Sequence, residues 1–434
     1  MSMPTSGRAD IGTRWGLVCA GTALIGTCYG FARFAYGLFA PEFQDSFTIS
    51  STVSGVIGSG SYIGYCIAIV ASLIFTERVG ARRMAVAAGV VATVGTAMVA
   101  LAPSTPVLAA GVLIAGSSTG LASPPMAAAV SRWVLSGIQD RAQSVVNAGT
   151  GIGVMVSGPI ALLLIDQWRW AWGVFAVLAA AVTLWVHLVI PFTSSEHSTD
   201  SGKPGHARGT AVMVLAAFLM GLGSVAVWTF GRDLITTVGD AGSLVSTSMW
   251  TVLGAAGFIG ALSGDLVARA GLARSWTMVM ITMAAATLLL ALAPGSTVAA
   301  FAAAAVFGAS YVCLCGLLLL WSTRIHPDRA SFGVGVSFLM IAVGQSVGSP
   351  LAGALTDAAG GTSAFFTCAG IALLGAFVRP GRAIGASHGD AAPHTVGIPR
   401  DRDDTGPVGR GDPDGDIREG QDHARRHPDR VRRP

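Results

Sequence analysis

Apolar runs of 18 or more residues recur along the first 379 residues of this 434-residue chain. Each run is long enough to cross the roughly 30 Å hydrocarbon core of a bilayer as a helix. In lipid such a segment has to be helical, because every backbone N–H and C=O must be bonded internally. Charged residues make up only 12% of the chain, against about 25% in soluble proteins. The pattern predicts an all-α integral membrane protein and excludes a soluble enzyme, a nucleic-acid binder and a secreted module.

Polar and helix-breaking clusters divide these runs into twelve predicted transmembrane helices. Their approximate bounds are 15–40, 53–75, 84–102, 107–130, 144–165, 170–192, 210–231, 244–264, 275–293, 297–320, 332–355 and 361–379. The chain is therefore predicted to comprise an N-terminal tail (1–14), a six-helix bundle (15–192), a polar central loop (193–209) and a second six-helix bundle (210–379). The last segment, 380–434, is rich in Arg, Asp, Gly and Pro and is expected to be disordered.

Basic residues give these spans a direction, because Lys and Arg accumulate in the short cytoplasmic loops of membrane proteins. With the N-terminus placed in the cytoplasm, the loops on the opposite side hold only Arg169 and Arg232. The basic residues of the other loops and of the polar start then fall on the cytoplasmic side. Both termini are therefore predicted to be cytoplasmic.

The two halves of the chain show a repeat at an offset of 191 residues. Matched pairs are Gly30 with Gly221, Glu42 with Asp233, Arg78 with Arg269, Gly80 with Gly271, Gly153 with Gly344, Pro159 with Pro350 and Asp166 with Asp357. Each half has an even number of predicted spans, so both halves start on the same side of the membrane. This is a parallel repeat, for which a binding site is expected between the halves near the midplane.

The loop after the second span carries a basic motif, and with the six-plus-six arrangement it resembles the major facilitator superfamily. That superfamily's signature here reads Gly-x-Leu-Ala-Asp-Arg-x-Gly-Arg-Arg; this chain has Leu73 at the first glycine and Glu77 at the aspartate. The resemblance implies a transporter that works by alternating access, as a monomer in a bacterial inner membrane. It also implies a conformational switch in this loop and its second copy, made of Glu77, Arg78, Gly80, Arg82, Arg83, Asp265, Arg269, Gly271 and Arg274.

Two further stretches resemble known transporters. Residues 30–37, Gly-Phe-Ala-Arg-Phe-Ala-Tyr-Gly, are similar to the bacterial YbfB/YjiJ-type permeases. The fifth span partly resembles the antiporter motif of the superfamily, because it has glycines and a proline at related positions. The motif glycines present are Gly149, Gly151, Gly153 and Gly158, with a spacing that differs from that of the superfamily. Gly158 and Pro159 are predicted to take part in the conformational change.

Arg33 is the one formally charged residue well inside any predicted span. A charge at that depth costs roughly 2.5–3.5 kcal/mol on insertion scales, so such a residue usually faces a cavity or a partner. The guanidinium is predicted to bind an anionic group of the substrate; the alternative is a structural Arg that extends to the interface. Tyr29 and Tyr36, at minus four and plus three, are predicted to share its helical face. Trp228 in the seventh span is predicted to cap the other side of the site.

Two amides, Asn147 and Gln345, complete the predicted substrate site, although interhelical hydrogen bonding is an alternative role for both. Glu42 and Asp233 stand at predicted span ends and are expected to be solvated, with gating against Arg169 or Arg232 as the alternative. No Asp or Glu lies deep in a predicted span. A carboxylate relay for protons therefore has no obvious carrier.

These observations predict a secondary transporter of a small organic solute, with an organic anion as the favoured substrate. The alternative is proton-coupled efflux of drugs or sugars, with Arg33 in a structural role. A receptor or membrane-embedded enzyme is a further alternative, but no cluster of catalytic groups stands out. No catalytic residue, metal site, cofactor or nucleic-acid partner is predicted; the expected partners are the substrate and the lipid bilayer.

Overall fold

The computed structural model describes residues 7–135, 138–191, 209–326 and 330–381, and this part of the chain is built from helices. Helix α1 begins at Gly7, ahead of the predicted first span. The predicted central loop lies outside the described residues except for Gly209. The tail lies outside them beyond Gly381, so its predicted disorder remains a prediction.

The first half of the chain begins with one long span in three pieces. Helix α1 continues into a π-helical segment, Gly26–Phe34, which leads into the short helix α2. The α-helices of this half are α1 (Gly7–Ile25), α2 (Ala35–Leu38), α3 (Ala40–Phe47), α4 (Ser51–Val79), α5 (Ala81–Ala100), α6 (Thr105–Trp133), α7 (Gln139–Leu163) and α8 (Trp168–Val189).

The second half repeats this pattern of long helices, with one interruption. A 3₁₀ segment, Gly257–Leu262, joins α10 to α11. The α-helices here are α9 (Thr210–Thr237), α10 (Ser243–Ala256), α11 (Ser263–Ala270), α12 (Leu272–Leu292), α13 (Thr297–Ile325), α14 (Ala330–Ala359) and α15 (Gly361–Phe377).

By length and composition, 11 helical stretches of the described residues can cross a membrane. The last predicted span corresponds to α15, an apolar helix of 17 residues. Helix α9 also differs from its predicted bounds, because it continues to Thr237 instead of ending at 231. This extension places Arg232 and Asp233 inside a helix.

Helix α7 packs on both halves through its glycines. A Cβ on Gly30 of the first span would overlap the backbone of Gly153, so these two backbones are in direct contact. A Cβ on Gly158 would overlap Thr251 of α10, in the second half. Because small residues let helices approach closely in a membrane, these glycines fix where the first span lies against α7.

Helix α14 makes the corresponding contacts in the second half. A Cβ on Gly344 would overlap the carbonyl oxygen of Phe218 in α9, and one on Gly353 would overlap that of Ser51 in α4. Thus α7 packs on the first span and α10, while α14 packs on α9 and α4. The same packing recurs at the positions that the sequence repeat relates.

Two glycines of the predicted switch loops have the same backbone conformation. Gly80 has φ 93 and ψ 147, and Gly271 has φ 76 and ψ 154. This region of backbone space is essentially restricted to glycine. Both residues turn one helix into the next, α4 into α5 and α11 into α12, which explains why glycine occurs at both positions of the repeat.

Candidate functional site

Arg33 lies in the π-helical segment of the first span, near its end. The wider π turn closes where the Ala35 N–H donates to the carbonyl of Gly30, five residues earlier. Such π turns are rare and occur often at functional sites. Arg33 is only 6% exposed. The segment therefore holds a cation in the interior of the bundle.

Aromatic rings surround the guanidinium of Arg33. Its Cζ atom lies 4.6 Å from the ring centroid of Tyr65 and 5.0 Å from that of Tyr62, both in α4. The rings of Phe34 and Tyr29 follow at 5.2 and 5.7 Å. Each ring presents electron density that attracts a cation. The cation is thus stabilised by neutral groups.

Gln345 holds one nitrogen of this guanidinium from the other half of the chain. Arg33 Nη2 donates to Gln345 Oε1 at 2.7 Å. Gln345 Nε2 in turn donates to the hydroxyls of Tyr311, at 3.3 Å, and Ser224, at 3.5 Å. Ser224 is the residue that the 191-residue offset pairs with Arg33. These bonds place the arginine at the contact between the two halves.

The hydrogen bonding of Arg33 is incomplete. Its Nε is buried and has no hydrogen-bond partner. Another buried arginine, Arg232, forms an ion pair with Glu42. Within the described residues, no carboxylate is paired with Arg33. A buried donor on a charged group that lacks a partner is costly. The site therefore has unused capacity for an anionic acceptor.

Trp228 of α9 forms a wall of the same site. Its indole stacks on the ring of Phe34 with 3.9 Å between centroids, and meets the Tyr311 ring edge-on at 5.1 Å. Trp228 and Tyr311 border a small cavity of about 10 Å³. The other residues that line this cavity are Thr150, Gly151, Val154, Leu253, Gly254, Gly257, Gly308 and Val312. The cavity lies where α7 of the first half meets α10 and α13 of the second.

The structure brings four of the six predicted substrate residues together: Arg33, Tyr29, Gln345 and Trp228. Tyr36 lies apart from this group, because its hydroxyl donates to the Ser54 carbonyl at 2.7 Å. The prediction that Tyr36 shares a helical face with Arg33 assumes α-helical spacing, and the π turn changes that spacing.

Asn147 is exposed on α7, away from the arginine. Its Oδ1 accepts a hydrogen bond from Gln143 Nε2 at 3.1 Å. This is a contact within one helix, one turn apart. The described contacts of Asn147 therefore do not join it to Arg33.

A second polar group, which we call the clasp, consists of Glu42, Gln44, Arg232, Asp233 and Asp357. Arg232 is 3% exposed and forms an ion pair with Glu42, which is 17% exposed. Arg232 also donates to the Leu38 carbonyl at 2.7 Å and to the Ser246 hydroxyl at 3.2 Å. These bonds join α9 to the end of the first span.

The remaining members of the clasp join the same end of the two halves. Gln44 Nε2 donates to Asp233 Oδ1 at 3.3 Å. The carboxylate of Asp357 accepts from the backbone N–H of Ser51, at 3.0 Å, and of Thr52, at 2.7 Å. It thereby caps the first turn of α4 from α14, where a helix N-terminus favours negative charge.

The expectation that Glu42 and Asp233 are solvated is wrong. Asp233 is 5% exposed, and Glu42 is paired with Arg232. Arg33 is accordingly not the one charge within a span, because α9 extends past both Arg232 and Asp233. The alternative, a polar contact of Glu42 with Arg232, is what the structure contains.

Sequence reasoning also missed Tyr62, Tyr65 and Tyr311 of the arginine site. A signal was present, because the chain has only 5 tyrosines. Tyr29, Tyr62 and Tyr65 contribute rings or hydroxyls around Arg33, and Tyr311 contacts Gln345. Tyrosine restricted to a few apolar runs indicates a shared polar and aromatic interior.

The predicted switch residues lie at the ends of α4, α5, α11 and α12. Arg78, Arg83, Asp265, Arg269 and Arg274 are exposed there. Arg82 Nη2 lies 3.3 Å from His187 Nε2 of α8. The Glu77 side chain is outside the described part, so its role in the switch stays a prediction. Gly158 and Pro159 lie farther along α7, against α10.

The chain is similar to known proteins in both sequence and fold. A sequence model described as Major Facilitator Superfamily matches residues 22–346. Among solved structures, a bacterial homolog to the human lysosomal transporter Spinster superimposes with a TM-score of 0.69 at 13% identity. The superposition covers 84% of this chain and 96% of that one. At this identity the likeness concerns the fold alone.

Three proteins are similar in sequence. Transcription regulatory protein OpdE of Pseudomonas aeruginosa is 27% identical over 365 residues, 79% of this chain and 90% of that protein. The Gentisate transporter of Corynebacterium glutamicum is 26% identical over 185 residues, 41% of each chain. The Hexuronate transporter of Bacillus subtilis is 28% identical over 164 residues, 38% of this chain and 39% of that protein. This chain thus matches about two fifths of the length of each of the two transporters.

Proposed function

This chain belongs to the major facilitator superfamily of small-solute membrane transporters, and from that premise we propose that its own substrate is a small organic anion bound by Arg33. The single observation that carries the proposal is the unfinished pairing of Arg33. Arg33 is 6% exposed, its Nε has no partner, and the groups that contact its guanidinium are neutral. A carboxylate that enters the site would supply the missing acceptor and the missing charge.

The relatives support the same substrate class. Two of them, the Gentisate transporter and the Hexuronate transporter, are named for carboxylate solutes. Each match covers about two fifths of this chain. The names therefore add weight to a proposal that rests on the geometry of Arg33.

The proposed mechanism is alternating access between two six-helix halves, which lie before and after the central loop in the chain. Helix α15 is the twelfth span in this proposal. The clasp ties the halves together at one end of the bundle, through the ion pair of Arg232 with Glu42 and the cap that Asp357 provides. Arg33 is also in contact with both halves, and it precedes in the first span Leu38, whose carbonyl accepts from Arg232. Opening the clasp would expose Arg33 to one side of the membrane, and separating the halves at the opposite end would expose it to the other.

We place the protein, as a monomer, in a bacterial inner membrane with both termini in the cytoplasm. The basic loops support this orientation. The similarity of residues 30–37 to the YbfB/YjiJ-type permeases supports that subgroup. In this orientation the clasp faces away from the cytoplasm.

Proton-coupled transport is a second candidate, favoured by Asp233. This carboxylate is 5% exposed and hydrogen-bonded to Gln44, so α9 does contain a buried acidic group. The antiporter-like glycines of α7 are consistent with the same alternative. Substrate flux that changes with an imposed proton gradient, and loses that dependence in Asp233→Asn, would support it.

The experiment that tests the anion proposal is a thermal-shift series on detergent-purified protein. A panel of organic acids is compared with the corresponding neutral amides, on the wild type, Arg33→Gln and the matched control Arg169→Gln. Arg169 is exposed and lies outside the site. We expect acids to raise the melting temperature of the wild type and of Arg169→Gln, with affinity reduced about 10- to 150-fold in Arg33→Gln, since hydrogen bonds to charged groups contribute about 1.5–3 kcal/mol.

Either of two results would overturn the proposal. One is equal stabilisation of wild type and Arg33→Gln by the acids, which would make Arg33 structural. The other is stabilisation by amides or cations in place of acids, which would favour the efflux alternative.

A further inference from the structure

Two buried hydrogen-bond donors without partners lie in residues that contact the same aromatic ring. Arg33 Nε is the first, and Trp228 Nε1 is the second. Both lie next to Phe34, because the Phe34 ring centroid lies 5.2 Å from Arg33 Cζ and 3.9 Å from the centroid of the Trp228 ring. Buried donors are nearly always paired, so two unpaired donors in one site indicate acceptors that the bound ligand supplies.

The position of Trp228 distinguishes it from the other buried indoles. Trp172, Trp250 and Trp321 also have N–H groups without a partner. Trp228, however, borders the cavity together with Tyr311, whose hydroxyl accepts from Gln345, the residue that holds Arg33. Its free N–H therefore belongs to the same site as the guanidinium.

The cavity has the walls that a flat ring needs. The rings of Trp228 and Tyr311 line it, together with four glycines of α7, α10, the 3₁₀ segment and α13. At about 10 Å³ it holds no more than a water molecule. It lies between helices of the two halves, so it widens when those halves separate during transport.

The chemistry of these walls selects among anions. Aromatic side chains favour an aromatic ligand through stacked and edge contacts. The other lining side chains are Val154, Leu253 and Val312, which offer no hydrogen bonds, and Thr150, which offers one hydroxyl. A polyhydroxylated acid would leave several hydroxyls unpaired here, and each unpaired buried hydroxyl weakens binding.

We propose that the ligand is a planar aromatic carboxylate that carries a second oxygen acceptor on its ring. Arg33 Nε binds the carboxylate, and Trp228 Nε1 donates to the ring oxygen. The inference rests on the proposed function, because it assumes that Arg33 binds an acidic group, and it adds the class of acid.

The test measures binding of defined probes to the full chain in detergent by isothermal titration. The probes are benzoate, 3-hydroxybenzoate, 4-hydroxybenzoate, cyclohexanecarboxylate and glucuronate, on wild type, Trp228→Phe and the matched control Trp250→Phe. Trp250 is a second buried indole without a partner and meets Trp228 edge-on at 5.8 Å. Phenylalanine keeps an aromatic ring but removes the N–H donor and one of the two fused rings, and Trp250→Phe makes the same change of size at the neighbouring indole.

We expect at least one hydroxybenzoate to bind about tenfold more tightly than cyclohexanecarboxylate or glucuronate. In Trp228→Phe this hydroxybenzoate should lose roughly 3- to 10-fold in affinity, the range of one neutral hydrogen bond, while benzoate is unchanged. Trp250→Phe should bind both as the wild type does.

Several outcomes would overturn the inference. If cyclohexanecarboxylate or glucuronate binds as tightly as the hydroxybenzoates, the aromatic class is wrong. The anion proposal then still stands, provided that Arg33→Gln weakens the binding of that acid. Equal losses for benzoate and hydroxybenzoate in Trp228→Phe would remove the role of the indole N–H. If no acid binds the wild type, both proposals fail. The probe series on wild type decides the ligand class even if Trp228→Phe does not fold.

Discussion

Arg33 and Arg232 are both buried in this bundle, and they differ in what compensates their charge. Arg232 is 3% exposed and has a carboxylate partner, Glu42, with further bonds to a backbone carbonyl and a serine hydroxyl. Arg33 is 6% exposed and has a glutamine and four aromatic rings, with one nitrogen left over. The same side chain is thus complete in one place and incomplete in the other.

The difference teaches how to separate a structural cation from a binding cation. Removing one partner of a buried ion pair leaves an uncompensated charge, so the members of such a pair depend on each other. A cation held by neutral groups keeps its net charge available to a ligand. Arg232 thus belongs to the contact between the halves, and the difference supports the proposal that Arg33 binds the substrate.

The largest expected effect comes from breaking the complete pair. Glu42→Gln leaves Arg232 buried without its carboxylate and should cost about 3 kcal/mol in stability of the clasp-closed state. Arg33→Gln removes a cation that has no carboxylate partner, so the melting temperature should stay the same or rise. Thermal melts of the two ligand-free variants, beside wild type, make the comparison.

Hydrogen exchange locates the effect of Glu42→Gln. Faster exchange of the amides in residues 38–55 and 229–240 would show that the clasp has opened. An equal fall in melting temperature for both variants would show that the two arginines do not differ in the way described.

An intermediate effect is expected from making Arg33 resemble Arg232. Gln345→Glu places a carboxylate where Oε1 already lies 2.7 Å from Arg33 Nη2. This internal anion should compete with the ligand and lower its affinity about 10- to 150-fold, without loss of stability. Isothermal titration with the best acid from the thermal-shift panel measures it.

The matched control for this charge change is Gln345→Met, which has a similar size and no charge. It should retain more acid binding than Gln345→Glu, because Arg33 stays uncompensated. Unchanged acid affinity in Gln345→Glu would contradict the assignment of Arg33 to the ligand.

The smallest effect is expected at the helix cap within the clasp. Asp357→Asn keeps one acceptor for the first turn of α4 but loses the second and the charge, which should cost about 1 kcal/mol. Exchange of the amides of Ser51 and Thr52 reports the loss directly. Asp166→Asn is the control, because Asp166 is the repeat partner of Asp357 and is exposed; equal effects in both variants would show that the interhalf cap contributes nothing.

The fold was predictable where it depends on the sequence of a single helix or loop. Long apolar runs fix the helices, and the matched pair Gly80 and Gly271 appears in the structure with one backbone conformation. The predicted end of the seventh span failed because a charged pair, Arg232 and Asp233, looks like a solvated boundary. In the folded protein partners from the first half allow α9 to continue through it.

The candidate site was predictable in part. A lone arginine in an apolar run indicates a polar interior by itself, so Arg33 could be found. Tyr36 was assigned to its face by α-helical spacing, which does not hold where the backbone forms a π turn. The prediction for Asn147 rests on its polarity, and polarity does not determine whether a residue lies on the side of the helix that faces Arg33.

The sequence by itself determined that this chain is a helical membrane protein with a repeat and one conspicuous buried cation. Those conclusions rest on hydropathy and periodicity, which act along single helices. Only the tertiary structure decided that Arg33 meets Gln345 and four rings while Arg232 meets Glu42. Whether a buried charge is already compensated depends on residues far apart in the chain, some of them about 300 positions away, and their approach is set by how the helices pack.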